Sequence, residues 1–176
     1  MIGITQPTTF TLQYAKFQRN YLWDVLLPDI GVDLGGLVGF AMGQLVQSVS
    51  FGDYSIVDGP KMRFGPYEAH FAGLFTVPDI RMTFLKTFPD AVSSYFNAWK
   101  NLIIDANGIY STKSNYQRTI YVRFVDMTGI SMGQYKLIGC FPTIFPNYNL
   151  SYDDNKVTKV EVKFTVDAIE YSAFTS

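Results

Sequence analysis

The residues with nucleophilic or acid–base chemistry are few and show no catalytic spacing. The chain has one histidine, His70, and one cysteine, Cys140, separated by 70 positions. One cysteine and one histidine make a Cys–His nucleophile arithmetically possible, and nothing else in the sequence favours it. Asp153 and Asp154 are adjacent, whereas paired acid–base carboxylates occupy separated positions, so a turn is predicted there. The sequence therefore does not predict an enzyme.

Metal and cofactor sites are not predicted either. His70 has no second histidine and no nearby cysteine, so we interpret it as a surface or interface side chain rather than a zinc ligand. No phosphate-binding loop and no dinucleotide fingerprint is present. Cys140 lies in an apolar context and is predicted to be a buried, inert thiol without a disulfide partner. We expect no cofactor.

Length and charge restrict the class of protein. A chain of 176 residues predicts one domain with a sizeable core. With 14 basic and 15 acidic residues the net charge is −1, which argues against general nucleic-acid binding but permits passage of nucleic acid without binding. No signal sequence is recognised, and the apolar run Leu34–Leu45 is shorter than the ~20 residues of a membrane span. We therefore expect no membrane partner.

The clearest strand pattern runs from Thr158 to Glu170. Strict alternation of side chains predicts a strand with one buried face and one face in contact with water or a polar partner. Two Phe-Pro pairs before it predict an extended crossing segment. The apolar face carries Val160, Val162, Phe164, Val166 and Ala168, and the polar face carries Lys159, Glu161, Lys163, Thr165 and Asp167.

Other elements follow from the same rules. Strands are predicted at 20–27, 44–51, 79–86, 118–126 and 134–141, the last two as a hairpin. One helix is predicted from Asp90 to Asp105, with Asp90 as its N-cap and an apolar face that covers one side of a β-sandwich. That face consists of Val92, Tyr95, Phe96, Trp99, Leu102 and Ile103.

Several segments lack a regular pattern. Residues 1–19 are predicted to form an N-terminal arm, and residues 20–176 a single domain. The glycine-rich apolar segment 29–43 is predicted to pack against a neighbouring subunit, with a hairpin inside the fold and a membrane-inserting segment as alternatives. Residues 54–72 contain two Gly-Pro breaks, and residues 110–117 are predicted to form a polar loop.

The order of these features resembles the tail tube proteins of contractile-tailed bacteriophages and of related injection systems. The likeness extends from about Asn20 to Tyr171, with Phe96 and Trp99 at matching places on the helix. It is most specific near the end of the chain. The matching residues there are Gly139, Phe141, Pro142, Leu150, Tyr152, Asp153, Asn155 and Tyr171.

The resemblance implies a fold and a function. The fold would be mainly β, a β-sandwich or incomplete barrel with one flanking helix, assembling into hexameric rings whose sheets join into a continuous barrel. The rings would stack head-to-tail into the inner tail tube, the conduit for DNA ejection. Implied partners are further copies, sheath protein, tape-measure protein, baseplate and tail-terminator proteins, and DNA that passes without sequence-specific binding. Location would be the virion tail, assembled in the host bacterial cytoplasm.

Two sets of residues are candidates for these roles. The first is an inter-ring contact loop with Lys61, Arg63, Phe64 and Tyr67, because the resemblance implies that residues 54–72 form an extended loop reaching the next ring. The second is a polar face lining the lumen or the outside of the tube. For it we keep two strands open: one carries Lys159, Glu161, Lys163 and Asp167, and the other carries Thr119, Tyr121 and Arg123. Alternatives to a tail tube are a baseplate tube-initiator, the inner tube of a contractile injection or secretion system, and a small-ligand-binding β-barrel.

Overall fold

A computed structural model describes residues 22–31, 42–87, 90–145 and 158–173. The predictions for the arm 1–19, most of segment 29–43 and residues 146–157 with Asp153 and Asp154 lie outside the described residues. Ile30 and Met42, at the two ends of the glycine-rich segment, are described, and both are buried. The elements are β1 (Trp23–Leu26), β2 (Val46–Phe51), β3 (Ser55–Phe64), β4 (Tyr67–Thr76), β5 (Ile80–Leu85), α1 (Ala91–Ile103), α2 (Lys113–Tyr116), β6 (Arg118–Val125), β7 (Ser131–Ile144), β8 (Lys159–Thr165) and β9 (Ala168–Ala173).

Seven of these strands form one antiparallel sheet that is divided into two layers. The first layer has the order β1-β6-β7-β9, and the second layer has the order β2-β5-β8-β7. The layers face each other, because the rings of Phe51 in β2 and Tyr135 in β7 lie 5.1 Å apart. The sheet does not close, so the predicted mainly β sandwich or incomplete barrel is confirmed.

The two layers share β7 at a bend. Gly139 adopts a φ of 70°, and the Asp167 N–H donates to the Ile138 carbonyl over 3.0 Å. Val166 and Asp167 separate β8 from β9 at this point, so the prediction of one continuous closing strand is wrong. The prediction that Pro142 lies in a crossing segment is also wrong. β7 continues to Ile144 as an edge strand, where a proline is tolerated because a free edge does not require its missing N–H.

The predicted helix is confirmed as α1. The Asp90 carboxylate accepts a hydrogen bond from the Ser93 N–H over 3.1 Å, which caps the first turn. The buried face of α1 packs on Phe84 and Phe164 of the second layer. The fully or nearly fully buried side chains of that face are Val92, Tyr95, Phe96 and Trp99.

A short helix lies where a polar loop was predicted. α2 occupies part of residues 110–117, and the Trp99 indole N–H donates to the Tyr116 carbonyl over 2.8 Å. Its four residues provide too little periodicity to be recognised in a sequence. The prediction of a single flanking helix is therefore corrected to one long helix and one short helix in the described ranges.

The segment predicted as an extended loop is a β-hairpin. β3 and β4 pair antiparallel from Ser55↔Thr76 to Phe64↔Tyr67. Of the two Gly-Pro pairs, Gly65-Pro66 forms the turn, while Gly59-Pro60 lies at an irregularity inside β3. The extended loop was an expectation from the resemblance, and of the two Gly-Pro pairs interpreted as breaks only one is a turn.

Candidate assembly surfaces

The hairpin β3–β4 projects from the second layer between β2 and β5. Gly65, with a φ of 59°, occupies the first central position of its two-residue turn, where a positive φ matches the twist of the flanking strands. Along both strands every residue is exposed except Gly59 and Ala69, which are half-buried. In the described residues β3 and β4 form a separate two-stranded sheet. The hairpin is therefore an exposed ribbon.

The tip of this ribbon has two different faces. Residues directly opposite each other share a face, and the register pairs Met62 with Ala69 and Phe64 with Tyr67. Met62, Phe64 and Tyr67 are 55%, 62% and 77% exposed, and with Ala69 they form the apolar tip face. The charged tip face carries Lys61, Arg63, Glu68 and His70, with Lys61 Nζ 3.9 Å from Glu68 Oε1.

The four predicted contact residues therefore all lie at the tip of the hairpin, but on two different faces. Phe64 and Tyr67 belong to the apolar tip face, and Lys61 and Arg63 belong to the charged tip face. An exposed apolar surface of this kind is typical of a protein interface. His70, predicted as a surface or interface side chain, lies directly opposite Lys61 and is exposed.

The base of the hairpin adds apolar surface that the sequence analysis did not single out. The rings of Tyr54 and Phe75 stack with centroids 5.7 Å apart. Burial raises the pKa of the Tyr54 phenol, and the nearby Tyr135 phenol raises it further. Ile56 lies opposite Phe75, and Leu74 is 81% exposed. The apolar residues at both ends of the hairpin, Ile56 and Val57 in β3 and Leu74 and Phe75 in β4, were the signal available in the sequence.

The outward face of the second layer is polar on β2, β5 and β8 apart from Leu85, whereas Phe141 and Ile144 lie at its β7 edge, opposite Thr165 and Lys163. Arg81 NH1 lies 3.2 Å from Glu161 Oε1, and Lys163 Nζ lies 2.6 Å from Asp79 Oδ2. These ion pairs join β5 and β8 and leave little uncompensated charge at the centre of the face. On β2, β5 and β8 the outward side chains are Ser48, Ser50, Arg81, Thr83, Leu85, Lys159, Glu161, Lys163 and Thr165, of which Leu85 at one end is apolar.

Asp167 lies apart from this polar face. The change from β8 to β9 places it beside Gly139, where Lys113 Nζ donates to its two carboxylate oxygens over 2.7 and 2.6 Å. The carboxylate thus ties α2 to the bend between the layers. Its grouping with Lys159, Glu161 and Lys163 on one strand face is wrong, because the strand does not continue through Val166.

Arg123 lies on the outward face of the first layer. Its guanidinium donates to both carboxylate oxygens of Asp24, with Nε 2.9 Å from Oδ1. The hydrogen bond with Asp24 raises the pKa of Arg123. Lys136 and Glu170 form a second cross-strand pair at 3.5 Å. Several half-buried apolar side chains share this face: Leu26, Val125, Met132 and Ile138.

Cys140 is fully buried, and its Sγ lies 3.2 Å from the Leu137 carbonyl oxygen. Burial raises the pKa of the thiol to about 12, so it stays protonated and unreactive near neutral pH. Within the described ranges no group of three or more His, Cys, Asp or Glu side chains is placed to hold a metal ion. Among the helices of those ranges, none has the length and apolar character required to cross a membrane.

Comparison with known proteins relates this fold to contractile assemblies. No protein-family model matches the chain, and no curated protein matches its sequence. A chain of the PVC sheath–tube complex, from an extracellular contractile injection system in the extended state, superposes with a TM-score of 0.68 at 16% identity, covering 96% of this chain and 100% of that one.

Two further solved structures agree. A chain of the PVC sheath/tube terminator gives a TM-score of 0.67 at 16% identity, covering 91% of this chain and 99% of that one. A chain of the anti-feeding prophage tube-terminating cap gives 0.65 at 16% identity, covering 91% and 93%. The chain thus has the fold of tube and tube-terminator proteins of contractile injection systems. At the level of fold, the resemblance predicted from the sequence is confirmed.

Proposed function

We propose that this chain is the inner-tube subunit of a contractile tail or injection apparatus. It would form hexameric rings that stack head-to-tail, inside a sheath and between a baseplate and a terminator. The observation that carries the proposal is the exposed apolar tip face of a hairpin projecting from a tube-type fold. Such a surface needs a partner to remove it from water, and in a repeating assembly that partner is the next copy.

The hairpin supplies the contact between rings. A ribbon on one copy that docks onto a different surface of the next copy is a heterologous contact, and along an axis it repeats without closing. Phe64 and Tyr67 would be buried in this contact, while Lys61 and Arg63 would stay at its rim. Removing residues 61–67 would then abolish stacking while the core formed by α1 and the two layers stays folded.

The outward face of the second layer is the better candidate for the lumen. A water-filled channel needs a polar lining, and on β2, β5 and β8 this face carries one apolar residue, Leu85, with Phe141 and Ile144 at its β7 edge. Its central charges are paired as Arg81–Glu161 and Lys163–Asp79. Since tight binding of nucleic acid requires cations free to neutralise phosphates, a lining of paired charges lets a polyanion slide. The first layer, with apolar side chains between its ion pairs, suits protein contact instead.

Two kinds of cargo fit the proposed tube, and they correspond to two kinds of particle. In a phage tail, a tape-measure protein would fill the lumen first and DNA would pass at ejection, with the particle assembled in the bacterial cytoplasm. In an injection system the cargo would be protein, and the neighbours from extracellular contractile injection systems favour this second candidate. DNA protected from nuclease inside purified particles would identify the first version, and protein cargo without DNA the second.

Negative-stain microscopy of the purified chain tests the proposal. Stacked rings with a central pore are expected. Single rings that never stack would indicate a terminator, and monomers at all concentrations would contradict a tube.

A matched pair of variants tests the hairpin contact. Phe64→Ser with Tyr67→Ser should abolish tubes, whereas Ile109→Ser with Tyr110→Ser removes side chains of similar exposure elsewhere (65% and 75%) and should leave tubes intact. Normal tubes from the hairpin variant, from a deletion of residues 61–67, or equal loss in both variants would contradict the assignment.

A further inference from the structure

The short helix α2 contacts three separate elements of the fold. The Trp99 indole N–H of α1 donates to the Tyr116 carbonyl over 2.8 Å. The Tyr116 ring packs edge-to-face against Phe141 of β7, with centroids 5.3 Å apart. At the other end of α2, Lys113 Nζ donates to both carboxylate oxygens of Asp167. α2 therefore joins α1 to the bend in β7 and to the corner between β8 and β9.

Contacts with neighbouring elements determine where α2 lies. A helix of four residues has too few internal hydrogen bonds to be stable alone. The Arg118 guanidinium, at the start of β6, donates to the carbonyls of Asn115 and Gln117, both over 2.9 Å. α2 is thus fixed at its C-terminal end by β6, α1 and β7, and Lys113 at its first position is held toward Asp167.

The Asp167 carboxylate occupies space that Gly139 leaves open. A Cβ on Gly139 would lie 2.2 Å from Asp167 Oδ2. The Asp167 N–H donates to the Ile138 carbonyl over 3.0 Å, so the backbone at the corner is bonded to the bend. The carboxylate therefore lies between the bend in β7 and the ammonium group of Lys113.

This corner is where two strands pass from one layer to the other. β7 crosses at Gly139, and only Val166 and Asp167 separate β8 of the second layer from β9 of the first. A change in the direction of the chain at Asp167 therefore changes the angle between the two layers.

The ion pair at the corner contributes little to folding stability. Lys113 and Asp167 are 48% and 44% exposed, so water screens their attraction. Removing the pair should change the equilibrium constant of unfolding by less than about fivefold. A contact of this strength still favours one angle between the layers over others.

We propose that Lys113 and Asp167 are positioning residues that fix the angle between the two layers, so that copies of this chain can close into a ring. This inference rests on the proposed function. Every contact in a closed ring repeats the same rotation, so each copy must have the same shape. If loss of the pair leaves each copy in the required shape half of the time, a ring of six copies becomes about sixtyfold less populated, because the loss is incurred by every copy.

Ring yield compared with folding stability tests the proposal. Lys113→Gln and Asp167→Asn each remove one charge while nearly keeping the size of the side chain. Closed rings counted by mass photometry should fall at least about tenfold in both variants. Urea denaturation should show less than about a fivefold change in the unfolding constant. Ring yields equal to that of the unaltered chain would overturn the inference.

Two further variants separate the ion pair from general loss of charge. Lys113→Arg keeps a cation that can donate to both carboxylate oxygens, so it should restore ring yield to within about twofold. Lys86→Gln removes a different ion pair, in which Nζ lies 3.2 Å from Asp90 Oδ2 away from the corner, and should leave ring yield unchanged. Equal losses in Lys86→Gln and Lys113→Gln would contradict the role of the corner.

A distance measurement in the free protomer tests the angle itself. Ser50 in β2 and Ser172 in β9 are exposed and belong to different layers, so spin labels on Ser50→Cys and Ser172→Cys report the separation of the layers. Cys140 is fully buried and should not be labelled. Adding Lys113→Gln should broaden the distribution of distances between the labels. An unchanged distribution would refute the link between the ion pair and the angle.

The two proposals fail differently. If the unaltered chain forms rings and Lys113→Gln forms them equally well, only the role of the ion pair is contradicted. If the unaltered chain forms no rings under any condition, the proposed function is contradicted, whereas the distance measurement on the free protomer still tests the angle.

Discussion

Gly139 is a position where adding a single methyl group should lower the stability of the fold. It has a φ of 70°, and a Cβ built there would lie 2.2 Å from Asp167 Oδ2, 2.7 Å from its Cγ and 2.9 Å from its Cβ. At this point β7 passes from the first layer to the second. Gly139→Ala therefore strains the bend on which both layers depend.

The cost has two parts. A left-handed φ costs an L-residue about 1–2 kcal/mol. The contact with Asp167 adds overpacking of about 1–2 kcal/mol, because the carboxylate can swing away but its Cβ is fixed to the backbone. Loss of the ion pair with Lys113 adds at most about 1 kcal/mol, since both groups are nearly half exposed and screened by water. We expect Gly139→Ala to lower the free energy of unfolding by about 3 kcal/mol.

Gly129→Ala is the matched control. Gly129 has a φ of 82° and open space where a Cβ would be placed, so this variant reports the cost of the backbone conformation alone, about 1–2 kcal/mol. Urea denaturation followed by tryptophan fluorescence gives each free energy of unfolding. In an Asp167→Ala background the penalty at Gly139 should shrink by at least about 0.5 kcal/mol. A loss at Gly139 no larger than at Gly129 would refute the steric explanation.

Three further variants and conditions test the packing around α1 and the core. Trp99→Phe should cost about 1–3 kcal/mol in urea denaturation because the Tyr116 carbonyl loses its indole donor; an unchanged midpoint would contradict this. Asp90→Ala should cost about 1 kcal/mol and Asp90→Asn much less, since only Ala removes the cap acceptor. Cys140 should resist a thiol reagent at pH 8 until the chain unfolds. Because burial raises the pKa of this thiol from 9.0 to about 12, its contribution to stability is present below about pH 9 and is lost as the pH rises toward 12; rapid native-state labelling would contradict its burial.

Elements governed by a local periodicity were predictable from the sequence. The helix at Asp90–Asp105 follows from apolar residues that recur with a period of 3.6. The buried side chains Val160, Val162 and Phe164 follow from a period of 2. Both predictions are confirmed. The break at Val166 was not predictable in this way, because the apolar alternation continues through it. Its cause is non-local: the positive φ of Gly139 on the neighbouring strand turns both strands together.

The residue types on the candidate surfaces were predictable from the sequence, but which residues share a face was not. Phe64 and Tyr67 were recognised as aromatic, yet the division of the tip into two faces depends on the register across Gly65-Pro66. Arg123 was recognised as polar, but its partner Asp24 lies on a strand 99 residues away in sequence. Cross-strand partners are set by topology, which the pattern of a single strand does not contain.

In the hairpin, the local sequence pattern and the packing within the protomer favour different outcomes. Its local sequence is typical of a strand pair, with a turn-forming Gly65 and alternating apolar residues, so it can close by itself. It lacks a third strand or a buried face, so closing gains little in the isolated chain. The rest of the described fold has the opposite character, since the buried faces of its two layers and α1 stabilise each other. Under the proposed function, a neighbouring copy would supply the packing that the hairpin lacks within the protomer.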